Sequence, residues 1–203
     1  MGVFNVSHKR IAIAPLLLAL SVTACRPSTM NESDIKLNPR PTQAYEMTLT
    51  IHDAPGPFDS VKGFVGYESN VECVPVQAIS GAKNPLHHTI QIELKEVGLN
   101  TYRGKFYMDL LQDEDYFGQG KCHWSFSGIG IPIKVGEVTF GAGATARQLA
   151  ASGPTYTEYF PKSAYGDNEI PDLTITSLGT NDIATRRVED FFSTTLTVRE
   201  HRE

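Results

Sequence analysis

From Tyr45 onward, apolar and polar residues alternate. In "YEMTLTI", Tyr45, Met47, Leu49 and Ile51 fall on one side and Glu46, Thr48 and Thr50 on the other; "TIQIELKEV" repeats the pattern with Ile90, Ile92 and Leu94, and "YRGKFYMDL" and "KCHWSFSGI" continue it. A period of two in segments rich in Tyr, Phe, Ile, Val and Thr describes strands with one dry face and one wet face, the pattern of antiparallel sheets. About nine such segments are predicted, near 45–52, 62–67, 71–79, 88–97, 101–110, 120–128, 131–140, 172–178 and 192–200, parted by turn clusters such as "APGP", "ESN", "GAKNP" and "GLN". Short strands at this spacing predict an all-β fold, an antiparallel β-sandwich of about 7–9 strands.

Between Gly141 and Pro171 the alternation is interrupted. "ATARQLAA" predicts a short helix of about two turns, and "GPTYTEYFPKSAYGDNEIP" reads as a long insertion loop that sets Tyr156, Tyr159, Phe160 and Tyr165 among turn residues. Long irregular connections in compact domains serve function or cover a core. Tyrosine suits either role, because its ring is apolar and its hydroxyl is not.

The first residues follow a different pattern. A polar start ends in His8-Lys9-Arg10, a twelve-residue apolar run spans Ile11 to Val22, and Thr23-Ala24-Cys25 follows. This is the layout of a secretory signal, and the run is shorter than the roughly 20 residues a membrane-spanning helix needs. Val22-Thr23-Ala24-Cys25 resembles the bacterial lipobox, which makes Cys25 the expected site of lipidation and the mature N-terminus. Residues 1–24 are then a lipoprotein signal peptide, residues 25–43 a proline-containing flexible tether, and residues 44–203 a single β-sandwich domain. Arg26 stands where an aspartate would resemble an inner-membrane retention signal, so the expected location is the outer membrane, facing the periplasm. The anchor would be the chain's one contact with membrane.

Composition refines this picture in two respects. Without Lys9 and Arg10 the formal charge of −5 becomes −7, which argues against nucleic acid or anionic lipid headgroups as the main partner and favours a basic or neutral protein. With Cys25 acylated, Cys73 and Cys122 remain, 49 residues apart, and two thiols in an oxidising compartment are expected to form a disulfide.

Candidate chemistry is sparse. No Gly-x-Ser-x-Gly elbow, His-Glu-x-x-His pair, phosphate-binding glycine loop or dinucleotide fingerprint occurs, and Ser80 to Lys83 matches Ser-x-x-Lys without its companion motifs. No catalytic residue and no cofactor is predicted, so the chain reads as a binding protein. His52, His87, His88 and His123 are metal-ligand types, but His87 and His88 are adjacent on a strand and point to opposite faces, so no metal site is predicted.

The distinctive stretch is "DLLQDEDYFGQGKCHW". Asp113, Glu114 and Asp115 are consecutive, unlike the alternating acids of an EF-type calcium loop. The simplest local reading is a hairpin loop, with Gly118 and Gly120 free to take positive φ. Tyr116 and Phe117 leave two alternatives open: they are exposed interface anchors beside steering charges, or they fold back over the sandwich end with Trp124 beneath them.

The run "YRGKFYMDLLQDEDYFGQGKCHW", with Cys73-Val74-Pro75 and "HHTIQIEL" before it, resembles proteobacterial lipoproteins associated with type VI secretion lipase effectors, which act as periplasmic immunity proteins. The resemblance spans roughly Val71 to Phe126 and implies no catalytic residues. It implies a secreted protein effector, a lipase, as partner; Asp113, Glu114, Asp115, Tyr116 and Phe117 are the partner-binding residues their own chemistry suggests. The alternative expectation is a structural lipoprotein that pins an envelope or secretion assembly to the outer membrane.

Overall fold

The computed structural model describes residues 1–2, 34–167 and 169–201. Cys25 and all but the first two residues of the predicted signal peptide lie outside the described residues. In chain order the elements are β1 Ala44–His52, β2 Ser60–Val61, β3 Gly63–Ser69, β4 His87–Ile92, β5 Lys95–Gly98, β6 Thr101–Tyr107, β7 Trp124–Val135, β8 Val138–Thr145, α1 Ala146–Ser152, β9 Thr155–Pro161, β10 Leu173–Thr176, β11 Leu178–Gly179, α2 Thr180–Ile183 and β12 Phe191–Glu200. They build two sheets, the expected all-β sandwich. Sheet I runs β11-β9-β12-β1-β6-β5; sheet II runs β10-β8-β7-β3-β4, with β2 also on β7. Pairing is antiparallel except between β10 and β8 at one edge, which are parallel.

Alternation becomes layering in β1. Met47, Leu49 and Ile51 are buried, while Thr48 and Thr50 form the wet face in register with Thr197 and Thr195 of β12, and these in turn with Thr155 and Thr157 of β9. The inward set meets Val65, Ile129, Ile131, Ile133, Phe140 and Leu196 in one continuous core. Each strand side chain withdrawn fully from water contributes about 1.5–3 kcal/mol, so this shared interior, not any single bond, holds the sheets together.

Each side of the sandwich is closed by a run that changes sheets. β4 ends at Ile92 in sheet II and β5 starts at Lys95 in sheet I; Leu94, between them, lies over Gly104 and Gly63, where any side chain would collide with it. Likewise β10 leaves sheet II and β11 enters sheet I across Ser177. The predicted strands at 88–97 and 172–178 are therefore each split between the two layers.

Four expectations are corrected. Residues 71–79 are an irregular loop, not a strand: Cys73 and Val74 are adjacent and both buried, which breaks the alternation of a half-buried strand, and Pro75 has no N–H for a ladder. The segments predicted at 120–128 and 131–140 are the long β7 and the start of β8, joined at Gly136, whose φ of 55° suits the tight turn. The long insertion at 141–171 is mostly regular. It holds the end of β8, the predicted helix α1 with a capping box between Thr145 and Gln148, and β9 in the body of sheet I. Finally, the tether is not free along its whole length. Leu37 bridges to Leu111, Asn38 N–H donates to the Leu110 carbonyl and Met108 N–H to the Gln43 carbonyl.

Candidate functional site

The chain leaves sheet I at Tyr107 and enters sheet II at Trp124, so residues 108–123 carry it across one end of the sandwich. The predicted hairpin loop is thus corrected to a crossover between sheets. A hairpin would have returned the chain beside β6; instead β6 has β1 and β5 as neighbours, and β7 starts in the other layer.

Backbone groups in such a crossing need partners, and the tether supplies many of them. Asp109 anchors the start. Its carboxylate accepts from Thr42 N–H at 2.8 Å, Thr42 Oγ1 at 3.0 Å and Gln43 N–H at 3.0 Å, while Asn38 Nδ2 donates to the Asp109 carbonyl at 2.8 Å. Burial pushes this carboxyl upward, but the hydrogen bonds from Thr42 and Gln43 favour the charged form more strongly and leave it below the usual aspartate value. A carboxyl depressed on folding stabilises the folded chain above its unfolded pKa and loses that contribution as pH falls through the folded one. Acidification below the ordinary aspartate range is therefore expected to speed amide hydrogen exchange at Thr42 and Gln43 before it affects β1 and β12. Simultaneous loss of protection at all four places would contradict a local clamp.

Each predicted partner-binding residue has a defined place. Asp113 accepts from Trp124 N–H at 2.9 Å with one oxygen and meets His123 Nδ1 at 2.6 Å with the other. The Glu114 carbonyl accepts from Cys122 N–H, and its side chain holds Lys36 Nζ at 2.7 Å, which raises the lysine pKa. Asp115 closes a turn on Phe117 N–H and Gln119 N–H. Tyr116 donates to the Gln112 carbonyl, accepts from Lys36 N–H and stands edge-on to Trp124 at 6.3 Å. With Phe117 it packs on Cys73, Val74 and Cys122.

Of the two readings of the aromatic pair, the structure shows the folded-back one, with both rings half-buried. The five residues separate by role. Glu114, Tyr116 and Phe117 brace the crossing, whereas Asp113 and Asp115 face solvent beside Gly118, Gln119, Gly120 and Lys121. The Cys73–Cys122 disulfide is formed, with Cα atoms 5.0 Å apart, and ties the 70–86 loop to this crossing.

A second feature carries no motif. Glu158 of β9 points between the sheets and is only 3% exposed; it accepts from Gly143 N–H at 2.6 Å and Thr194 Oγ1 at 3.3 Å, with the Ser177 hydroxyl as a third donor. Burial raises its pKa against these bonds. Beside it, the outer face of sheet II sinks into a depression of about 410 Å³ edged by Phe64, Thr89, Ser127 and Gln148. Its floor is glycine in register, Gly143 beside Gly130 and Gly128 beside Gly66. At Gly143, with φ of 144°, a side chain would run into the Ile129 carbonyl oxygen. The carboxylate caps the β8 edge beyond the end of β10, and it and Ser177 belong to the lining of this depression.

Among the described residues no three His, Cys, Asp or Glu side chains converge as metal ligands, and no helix is long and apolar enough to cross a membrane. No protein-family model, curated protein or solved structure matches the chain.

Proposed function

We propose that this chain is a lipid-tethered periplasmic protein of the outer membrane that binds and neutralises a secreted effector, a type VI lipase by the resemblance of Val71 to Phe126. The observation that supports this most is positional. The end of the sandwich braced by Cys73–Cys122 is also the end that residues 36–43 grip, and it presents Asp113 and Asp115 to solvent. A neutraliser anchored where its target attacks works at high local concentration, and acids on a rigid rim accelerate capture of a basic partner.

The test separates charge from fold. Asparagine at 113 and 115 keeps a carbonyl oxygen for the bonds to Trp124 and Gln119 while it removes both charges. The Asp113→Asn/Asp115→Asn protein is expected to bind the purified effector with an association rate several-fold lower at low salt, the difference shrinking as salt screens it. Unchanged rates at every ionic strength would leave the two acids with structural work alone. Recovery from membranes of several envelope proteins and no effector would support the anchoring alternative.

A further inference from the structure

We propose that the disulfide-braced 70–86 loop seats the tethered end of this protein on the lipid surface, with Ile79 entering the bilayer interface. The inference rests on the lipid anchor in the preceding section and on the docking of residues 36–43 at this end.

Between Cys25 and Asp34 there are nine residue steps. No chain of nine residue steps reaches farther than about 30 Å. The twelve residues of β7 alone extend roughly 40 Å. Residues 36–43 dock on the 108–123 crossing, so this end of the sandwich stays within that reach of the anchor while the opposite end stands a strand length farther away.

The near end presents a loop tip that is exposed at every residue from Pro75 to Ala82. From Cys73 to Ala82, "CVPVQAISGA", ten residues carry no charge at all. The tip is closed on itself: Gln77 N–H donates to the Ala82 carbonyl at 2.8 Å, Gly81 N–H to the Gln77 carbonyl at 2.9 Å and Ser80 Oγ to Gln77 Oε1 at 3.2 Å. Closure leaves Ile79 wholly exposed, with Val76 57% and Val71 41% exposed behind it. The base is fixed too. Val74 is buried beside Cys73 and Cys122, and Lys83 Nζ donates to the Glu72 carbonyl at 3.0 Å.

Single exposed apolar residues need no explanation. Here Val76 and Ile79 fall within the uncharged, closed tip of an anchored loop at the tethered end, Val71 lies before it across Glu72, and Leu37 is 59% exposed at the same end. Such a tip enters the headgroup region without dehydrating a charge, and the net negative charge of the rest of the domain disfavours any closer approach to anionic lipid.

The experiment uses the full acylated chain reconstituted into vesicles of phosphatidylethanolamine and phosphatidylglycerol with brominated acyl chains. Ile79→Trp is compared with Val188→Trp, the latter near the start of β12 at the opposite end, and the wild type supplies the Trp124 background. The expected result is emission from I79W that is blue-shifted and quenched by bromine, while V188W behaves as the wild type. Flotation of all three proteins with no extra quenching in I79W overturns the seating and leaves the anchor standing. Failure of all three to float removes the anchor and this inference together. Fluorescence of I79W that changes only when effector is added assigns the tip to protein contact and refutes the lipid assignment.

Discussion

Replacing Phe192 with alanine is expected to lower the unfolding free energy by about 3–5 kcal/mol. The ring is fully buried on β12 and meets three others: Phe140 of sheet II edge-on at 4.9 Å, Phe160 stacked at 5.3 Å, and Phe58 at 6.0 Å. Because Phe140 belongs to one layer and Phe160 and Phe192 to the other, truncation opens a cavity on the seam between sheets, where neither layer can collapse without breaking its own ladder. Each aromatic pair adds about 0.5–1.5 kcal/mol beyond its buried area. For a domain of this size the midpoint of thermal unfolding should fall by on the order of 10 °C. Urea denaturation checks the value, with Phe64→Ala on the half-exposed outer face of sheet II as a control. A loss below about 1 kcal/mol for Phe192→Ala would mean that the ring cluster does not join the two sheets.

The same seam marks where the sequence was legible and where it was not. β1, β6 and β12 could be read because one face of each is wet, so Met47, Leu49 and Ile51 alternate with threonines. β9 could not: its inward set is Tyr156, Glu158 and Phe160, and a carboxylate among inward residues erases the period of two that betrays a strand. Only the tertiary arrangement, with Gly143 N–H, Thr194 and Ser177 gathered from three other segments, makes a buried glutamate tolerable there. Glycine concealed the boundaries of β7 and β8 in a similar way. Gly128, Gly130, Gly141 and Gly143 read locally as breakers, yet in register they floor a depression on a continuous sheet.

The acidic stretch was visible as a composition, but its partners were not. Glu114 pairs with Lys36 across 78 positions of chain and Asp109 with Thr42 across 67, and no local pattern encodes a contact at that distance. What the residue types did indicate was a commitment to order at this end: consecutive acids able to accept from backbone amides, aromatics able to cover a disulfide, and a cysteine at Cys122. A hairpin and a crossover have the same local ingredients. They differ only in which sheet receives the returning strand, which is settled by the competition of β1 and β5 for the two edges of β6.

Removing the Cys73–Cys122 bond should cost about as much as the Phe192 cavity, by a different route. Closing a loop between cysteines 49 positions apart restricts the unfolded chain, and the chain-entropy form of that restriction is worth about 4 kcal/mol. The folded state adds a reason to expect most of it. Both sulfurs are buried, and the bond joins the 70–86 loop to the 108–123 crossing, two segments with little ladder of their own. The remaining ties between them are slight: Asn70 N–H to the His123 carbonyl, His123 N–H to Asn70 Oδ1, and the packing of Tyr116 and Phe117 on Val74. The Cys73→Ala/Cys122→Ala protein, which leaves neither partner of the bond as a stray thiol, is expected to unfold at lower urea with a larger denaturant slope, because its unfolded chain exposes more surface. In the native state, amide exchange should rise in 70–86 and 112–123 and stay unchanged in β1 and β12. A stability change under about 1 kcal/mol with exchange unaltered at this end would show that Asp113, Glu114 and Lys36 suffice to brace the crossing without the covalent bond.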